Sequence, residues 1–183
     1  YKIDVNKWAS DIVGEKAGNL AGAEFILSTS ATAPTAEEIE DDYTTYKGLV
    51  KLNGSDKIYR VAEPGEKSVN SFTTVDSGDT TISGLKAGTY YLHEVAAPSG
   101  YNKLKKPITI VIAVRDYTTG AATITVNGTA VSGDSTVVDV ENKKGIELPE
   151  TGSIGTIGLT VAGAAIVLLG VFAPRKKKKS NQE

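Results

Sequence analysis

From Ile154 to Ala173 the chain carries no charged residue. As a helix rising about 1.5 Å per residue, this run spans roughly 30 Å, the thickness of a bilayer's hydrocarbon core. A buried core helix is the competing reading, but the run is apolar all round and offers no polar face to water. Arg175-Lys176-Lys177-Lys178-Lys179 follows. By the positive-inside rule this cluster stays on the cytoplasmic side, so residues 1–153 lie outside. A glycolipid-anchor signal also ends in an apolar tail, but it lacks a basic terminus and needs small residues at its cleavage site. The globular fold must therefore be built from what precedes the run.

Immediately before the run stands Leu148-Pro149-Glu150-Thr151-Gly152. Pro149 fixes a bend and removes a backbone donor, so the segment is exposed and non-helical. Gly152 leaves room for close approach to the preceding carbonyl. Motif, apolar run and basic tail together resemble the cell-wall sorting signal of Gram-positive surface proteins. The resemblance covers residues 148–183. It implies that a membrane transpeptidase, sortase, cuts between Thr151 and Gly152 and holds Thr151 as an acyl-enzyme on its cysteine. An amine then resolves the intermediate, from a peptidoglycan precursor or from a lysine of a neighbouring pilin subunit. Membrane insertion is then transient. The expected divisions are a domain over 1–146, the sortase motif segment 147–153, a transmembrane helix 154–173 and a basic cytoplasmic tail 174–183.

The external part has no cysteine, so disulfides cannot staple it. Another covalent device is worth seeking in a domain that must survive outside the cell. Charge is uneven. The tail holds five of the 20 Lys and Arg and one of the 22 Asp and Glu, which leaves 15 against 21, a net −6, on the rest. That balance excludes a nucleic-acid binder, which would present a basic face, and suits a soluble external domain. The chain begins at Tyr1 without a signal peptide. An exported protein needs one, so a longer precursor with upstream domains is expected.

Residues 1–146 read as short strands. Residues 1–8 alternate, with Ile3, Val5 and Lys7 on one face and Lys2, Asp4, Asn6 and Trp8 on the other. Ala23, Phe25 and Leu27 line a second strand. Leu49–Leu52 and Ile58–Val61 read as a hairpin around Asn53-Gly54, and Ala122–Val126 and Thr129–Val131 as another around Asn127-Gly128. Phe72–Val75 and Thr80–Ile82 flank the turn Asp76-Ser77-Gly78-Asp79. Tyr90, Leu92 and Glu94 share a face, as do Ile108, Ile110, Ile112 and Val114, and Val138, Val140 and Asn142. Thr35-Ala36-Glu37-Glu38 resembles a helix start. Many short strands with turn signals and little helix predict an all-β fold, an antiparallel β-sandwich with Greek-key connections, followed by the single transmembrane helix.

Three polar residues fall on apolar faces: Lys7 in the first strand, Glu94 in a middle strand and Asn142 in the last. Left unsatisfied in a core, they would cost several kcal/mol. One reading is a hydrogen-bonded polar cluster. The other is a reaction. Burial disfavours the charged forms of amine and acid, so both can be neutral. A neutral amine is a nucleophile, the asparagine carbonyl an electrophile, and a carboxyl beside them can relay protons as ammonia leaves. The product is an isopeptide bond joining the first strand to the last.

The stretch Gly84-Leu85-Lys86-Ala87-Gly88-Thr89-Tyr90-Tyr91-Leu92-His93-Glu94, continuing through Ala97-Pro98-Ser99-Gly100-Tyr101, resembles the "GLxxGxYxLxExxAPxGY" signature of CnaB-type (SpaA-like) domains in Gram-positive pilins. Leu20-Ala21-Gly22-Ala23-Glu24-Phe25 is similar to that family's "LxGAxF" strand, and Val140-Glu141-Asn142-Lys143-Lys144-Gly145 to its asparagine strand. The resemblance implies a reversed immunoglobulin-like sandwich and a Lys7–Asn142 crosslink with Glu94 as the autocatalytic acid. Lys7 is followed by Trp8-Ala9-Ser10, where the family has an apolar residue and an acid. Facing selects Lys7 over Lys2, which shares the side of Asp4. Residues 31–71 form a larger insertion than a minimal domain needs.

Elsewhere the chemistry is sparse. Glu37, Glu38, Glu40, Asp41 and Asp42 lack the spacing of a calcium loop and read as a solvated face. His93 is the only histidine and, opposite Glu94 in facing, reads as a surface residue. Without cysteine or a second histidine it supports neither a zinc site nor a nucleophile pair. No metal or cofactor is expected, and no constellation for turnover is present, so the chain reads as a structural protein and not an enzyme. Tyr90, Tyr91 and Tyr101 suit packing, with a host glycan or matrix ligand as the alternative. The expected function is the C-terminal domain of a shaft pilin, wall-anchored or polymerised on a Gram-positive surface. The alternative is the stalk of a wall-anchored adhesin.

Overall fold

A computed structural model describes residues 1–11, 18–35, 45–131 and 136–145. The expected motif segment 147–153, helix 154–173, tail 174–183 and acidic stretch 37–42 lie outside the described residues. Among those described, no helix is long and apolar enough to cross a membrane. Residues Tyr1–Gly145 form one compact unit.

That unit is all β. Its strands are β1 (Lys2–Trp8), β2 (Glu24–Ser28), β3 (Leu49–Lys51), β4 (Ile58–Val61), β5 (Phe72–Thr73), β6 (Asp79–Ser83), β7 (Gly88–Ala96), β8 (Ile108–Asp116), β9 (Ala121–Val126), β10 (Thr129–Ala130) and β11 (Val137–Glu141). They form a five-stranded sheet ordered β11-β1-β6-β4-β3 and a six-stranded sheet ordered β10-β9-β8-β7-β2-β5. One apolar cluster joins Ile3, Val5, Ile82, Val138 and Val140 of the first sheet to Phe25, Leu27, Leu92, Ile110 and Ile112 of the second. The inward residues of each strand alternate with outward ones, as a sandwich requires. Phe72 bridges the layers: its ring centroid lies 5.6 Å from that of Phe25 and 5.9 Å from that of Tyr59.

Both expected Asn-Gly hairpins are present. Asn53 and Asn127 have φ of 54° and 49°, the left-handed conformation that a tight turn demands and asparagine tolerates. Two pairings depart from the antiparallel expectation: β1 with β11, and β4 with β6, are parallel. Parallel neighbours need a crossover. β4 reaches β6 by way of β5 in the other sheet, so the Asp76–Asp79 turn carries the chain between layers instead of closing a hairpin. β1 and β11 are the two ends of the unit, and everything between them is the crossover. Running the same way, they finish at the same edge of the sandwich.

Candidate functional site at the ends of the terminal strands

In the parallel register, Lys7 lies opposite Val140. Asn142 comes two residues after Val140, just beyond the end of β11, and its backbone N–H donates to Trp8 O at 3.0 Å. Strand periodicity then turns Lys7, Val140 and Asn142 to the same side. Glu94 reaches that place from β7 of the opposite sheet. The three residues are 0%, 5% and 1% exposed in the order Lys7, Glu94, Asn142. Lys7 is one of the large, fully buried side chains among the described residues.

The cluster is wired through few bonds. Asn142 Nδ2 donates to Glu94 Oε1 at 2.8 Å, and Leu104 N donates to Glu94 Oε2 at 2.7 Å. Both carboxyl oxygens are thus held. Lys7 Nζ donates to Val140 O at 3.1 Å and, at 3.4 Å, to Trp8 O. Asn142 Oδ1 is buried and has no hydrogen-bond partner among the described residues. A buried, unpaired carbonyl loses its hydration without compensation, which costs about 1–3 kcal/mol. Desolvation also pulls the Lys7 ammonium down from 10.5 to about 8, against the carboxylates of Glu94 and Glu141, which push it up. Lys7 therefore gives up its proton more readily than an exposed lysine. A cleft of about 510 Å³, lined by His93, Glu94, Lys103, Leu104, Lys105 and Lys106 among others, connects Glu94 to the outside.

Facing put Lys7, Glu94 and Asn142 on inward faces, and in the structure all three are buried, Asn142 bonded to Glu94 and Lys7 bonded to Val140 O. The amide of Leu104 was missed, because a backbone donor leaves no mark in residue identity. His93 corrects an expectation. It is 4% exposed, with Nε2 2.9 Å from Ser30 O, because the chain beyond β2 lies over that side of β7. Alternation gave its facing but could not show what covers the face. No group of three or more potential metal ligands occurs among the described residues. Leu148, Pro149, Glu150, Thr151 and Gly152 lie outside them.

Comparison with known proteins agrees with this architecture. The SpaA prealbumin-like fold domain model matches residues 11–130, and the LPXTG cell wall anchor motif model matches residues 140–182. The chain belongs to the SpaA prealbumin-like domain family. Its C-terminal anchor motif makes it a wall-anchored surface protein of the Gram-positive type. It is 27% identical to a fimbrial subunit type 1 of Actinomyces viscosus, over 97% of this chain and 32% of that one. Among solved structures it is similar to the group B streptococcus pilus 2b backbone protein, at 33% identity, TM-score 0.44, and coverage of 81% of this chain and 42% of the other. The shaft pilin of Lactobacillus rhamnosus GG is 18% identical, with TM-score 0.46 and coverage of 81% and 47%. The chain thus spans about a third of the fimbrial subunit's length and less than half of either pilin's.

Proposed function

We propose that this chain is the C-terminal domain of a pilus subunit, a shaft pilin, closed by an internal Lys7–Asn142 isopeptide bond and joined to its neighbour or to the wall through Thr151. The observation that carries the crosslink is the unpaired Asn142 carbonyl in a buried cluster with a lysine whose burial lowers its basicity. Neutral Lys7 Nζ attacks Asn142 Cγ. The Nζ–Cγ bond forms and the Cγ–Nδ2 bond breaks. One proton passes from Nζ to the departing nitrogen through the Glu94 carboxyl, and ammonia leaves by the cleft beside it. Rotating the Asn142 amide exchanges Nδ2 for Oδ1 at Glu94 Oε1. Once it has taken the proton from Nζ, Glu94 can donate a hydrogen bond to the developing oxyanion on Asn142. Atoms balance: amine and primary amide become a secondary amide and ammonia.

The pilin reading rests on the wall-anchor motif together with the domain family and the fimbrial relative. Sortase cleaves between Thr151 and Gly152, discards the apolar run and transfers Thr151 to an amine of peptidoglycan precursor or of the next subunit. Joined this way, the first and last strands of the domain and the point of attachment lie on one nearly continuous covalent path. Tension along the fibre is borne by amide bonds before it reaches the sheet hydrogen bonds.

Intact mass tests the crosslink. Folded residues 1–146 are expected to weigh one ammonia less than the sequence. Peptide mapping must join Lys7 to Asn142, because a succinimide at Asn53-Gly54 or Asn127-Gly128 also loses ammonia. A full-mass wild type, or ammonia loss mapping elsewhere, sinks the idea. Incubation of the full chain with sortase and an amine tests anchoring: release of the segment from Gly152 onward is expected, and an uncut chain counts against it.

A further inference from the structure

The turn that carries the chain from β5 to β6 touches the reactive lysine's backbone directly. Lys7 N donates to Gly78 O at 2.9 Å, and Leu20 N donates to Lys7 O at 2.9 Å, so both main-chain groups of Lys7 are engaged. Gly78 N closes the turn onto Val75 O at 2.7 Å. Gly78 has φ +71°, and a Cβ built on it would lie far inside van der Waals contact with Lys7 O. It would also come within 3.4 Å of Lys7 C and 3.3 Å of Leu20 N. These obstacles are backbone atoms, which no rotamer change can move. Gly54, at φ +66° in the β3–β4 hairpin, has nothing within 4 Å of the same position. The two glycines share a backbone conformation but differ in what stands beside them.

We infer that Gly78 is a positioning residue for the crosslink: its missing side chain lets the turn seat Lys7 at the depth and angle from which Nζ meets Asn142. The inference rests on the isopeptide reading and extends it to a residue that touches no reacting atom. Any L side chain at position 78 must push Lys7 O away, loosen its bond from Leu20 N, and shift the lysine stem along the β11 edge. The sheet itself is held by five other registered pairs between β1 and β6, from Lys2–Ser83 to Asn6–Asp79, so the fold survives a local shift. Nucleophile and carbonyl lose alignment, and misplacement of about an ångström slows such reactions by roughly tenfold to 100-fold.

The test uses chains assembled by synthesis and peptide ligation and kept in denaturant, so that none has yet folded, and follows the mass of residues 1–146 with time after dilution into folding buffer, across pH. Wild type is measured first. If it keeps full mass, the isopeptide reading itself has failed. Given ammonia loss in wild type, Gly78→Ala is expected to fold by circular dichroism yet crosslink tenfold or more slowly. Its rate profile should also move to higher pH, as water reaches Lys7 and its amine returns toward ordinary basicity. Gly54→Ala, with the same backbone strain and no neighbour, is expected to crosslink at the wild-type rate. D-alanine at position 78, introduced by peptide ligation, suits positive φ and turns its methyl away from Lys7 O, and is expected to restore the rate. Wild-type kinetics in Gly78→Ala overturns the inference. So does equal slowing by Gly54→Ala, or a D-alanine chain that is no faster than the L-alanine chain. If Gly78→Ala does not fold, the D-alanine chain decides alone, and its failure to crosslink at the wild-type rate also overturns the inference.

Discussion

The two ends of the five-stranded sheet handle charge in opposite ways. At the β3–β4 end, Arg60 and Glu66 pair in water: Nη1 donates to Oε2 at 2.6 Å, and Nη2 donates to Oε1. Lys51 pairs with Asp56 beside them. These side chains remain partly exposed, at 34% and 31% for Arg60 and Glu66. At the β11–β1 end, Lys7, Glu94 and Asn142 are buried. Exposed ions keep most of their hydration and gain little from pairing. Buried groups lose hydration and must be satisfied, neutralised or consumed by reaction. One end therefore has ordinary surface chemistry, while the other buries a lysine on backbone carbonyls and leaves the Asn142 carbonyl without a partner among the described residues.

The largest break in this contrast is expected from Glu94→Ala or Asn142→Ala. Both should restore full mass. By analogy with a disulfide closing a long loop, loss of a link between the first and last strands lowers stability by about 4–5 kcal/mol. Thermal unfolding compared with wild type measures it. A variant at full mass with unchanged Tm would show that the cluster, if it reacts, does not clamp the fold.

A smaller effect sharpens the same end. In Asn142→Ala the lysine stays buried and unreacted. Below pH about 8 it is protonated in both folded and unfolded chains, and the burial penalty is fully present. Above about 8 the folded lysine sheds its proton while the unfolded one keeps it until about 10.5. The unfolded chain then binds more protons, so stability rises with pH across that window. Denaturant unfolding of Asn142→Ala and of Asn142→Ala with Lys7→Met should diverge below pH 8 and converge toward pH 10.5. Parallel curves would mean that Lys7 is hydrated.

The smallest effect belongs to the exposed end. The Arg60 guanidinium, helped by the Glu63 N–H, holds the Glu66 carboxyl down to about 2. Its contribution is present at neutral pH and fades as pH falls from the ordinary carboxylate range toward 2. Glu66→Gln should change Tm barely at pH 7 and not at all near pH 2, and salt should erase the difference. A large, salt-insensitive loss would make this pair structural after all.

Much of the molecule was legible in its residues. Period-two alternation identified β1, β7, β8 and β11, and the Asn-Gly pairs marked both hairpins, because facing and left-handed turns are local properties. Polar residues on apolar faces singled out Lys7, Glu94 and Asn142 for the same reason, and all three are buried in the structure. The C-terminal anchor motif was readable as a string, since sortase signals are read as extended sequence. Alternation could not say which strands are neighbours. The parallel pairing of β1 with β11, the split of β5 and β6 between layers, the burial of His93 under the chain near Ser30, the Leu104 amide on Glu94 and the contact of Gly78 with Lys7 O were decided by tertiary structure. Each joins residues far apart in the chain through backbone groups or covering surfaces, and neither carries a signature in residue type. The sequence by itself determined which polar groups fall on inward faces; only the sandwich, by running β1 and β11 in parallel to one edge, decided that Lys7, Glu94 and Asn142 are buried at that edge.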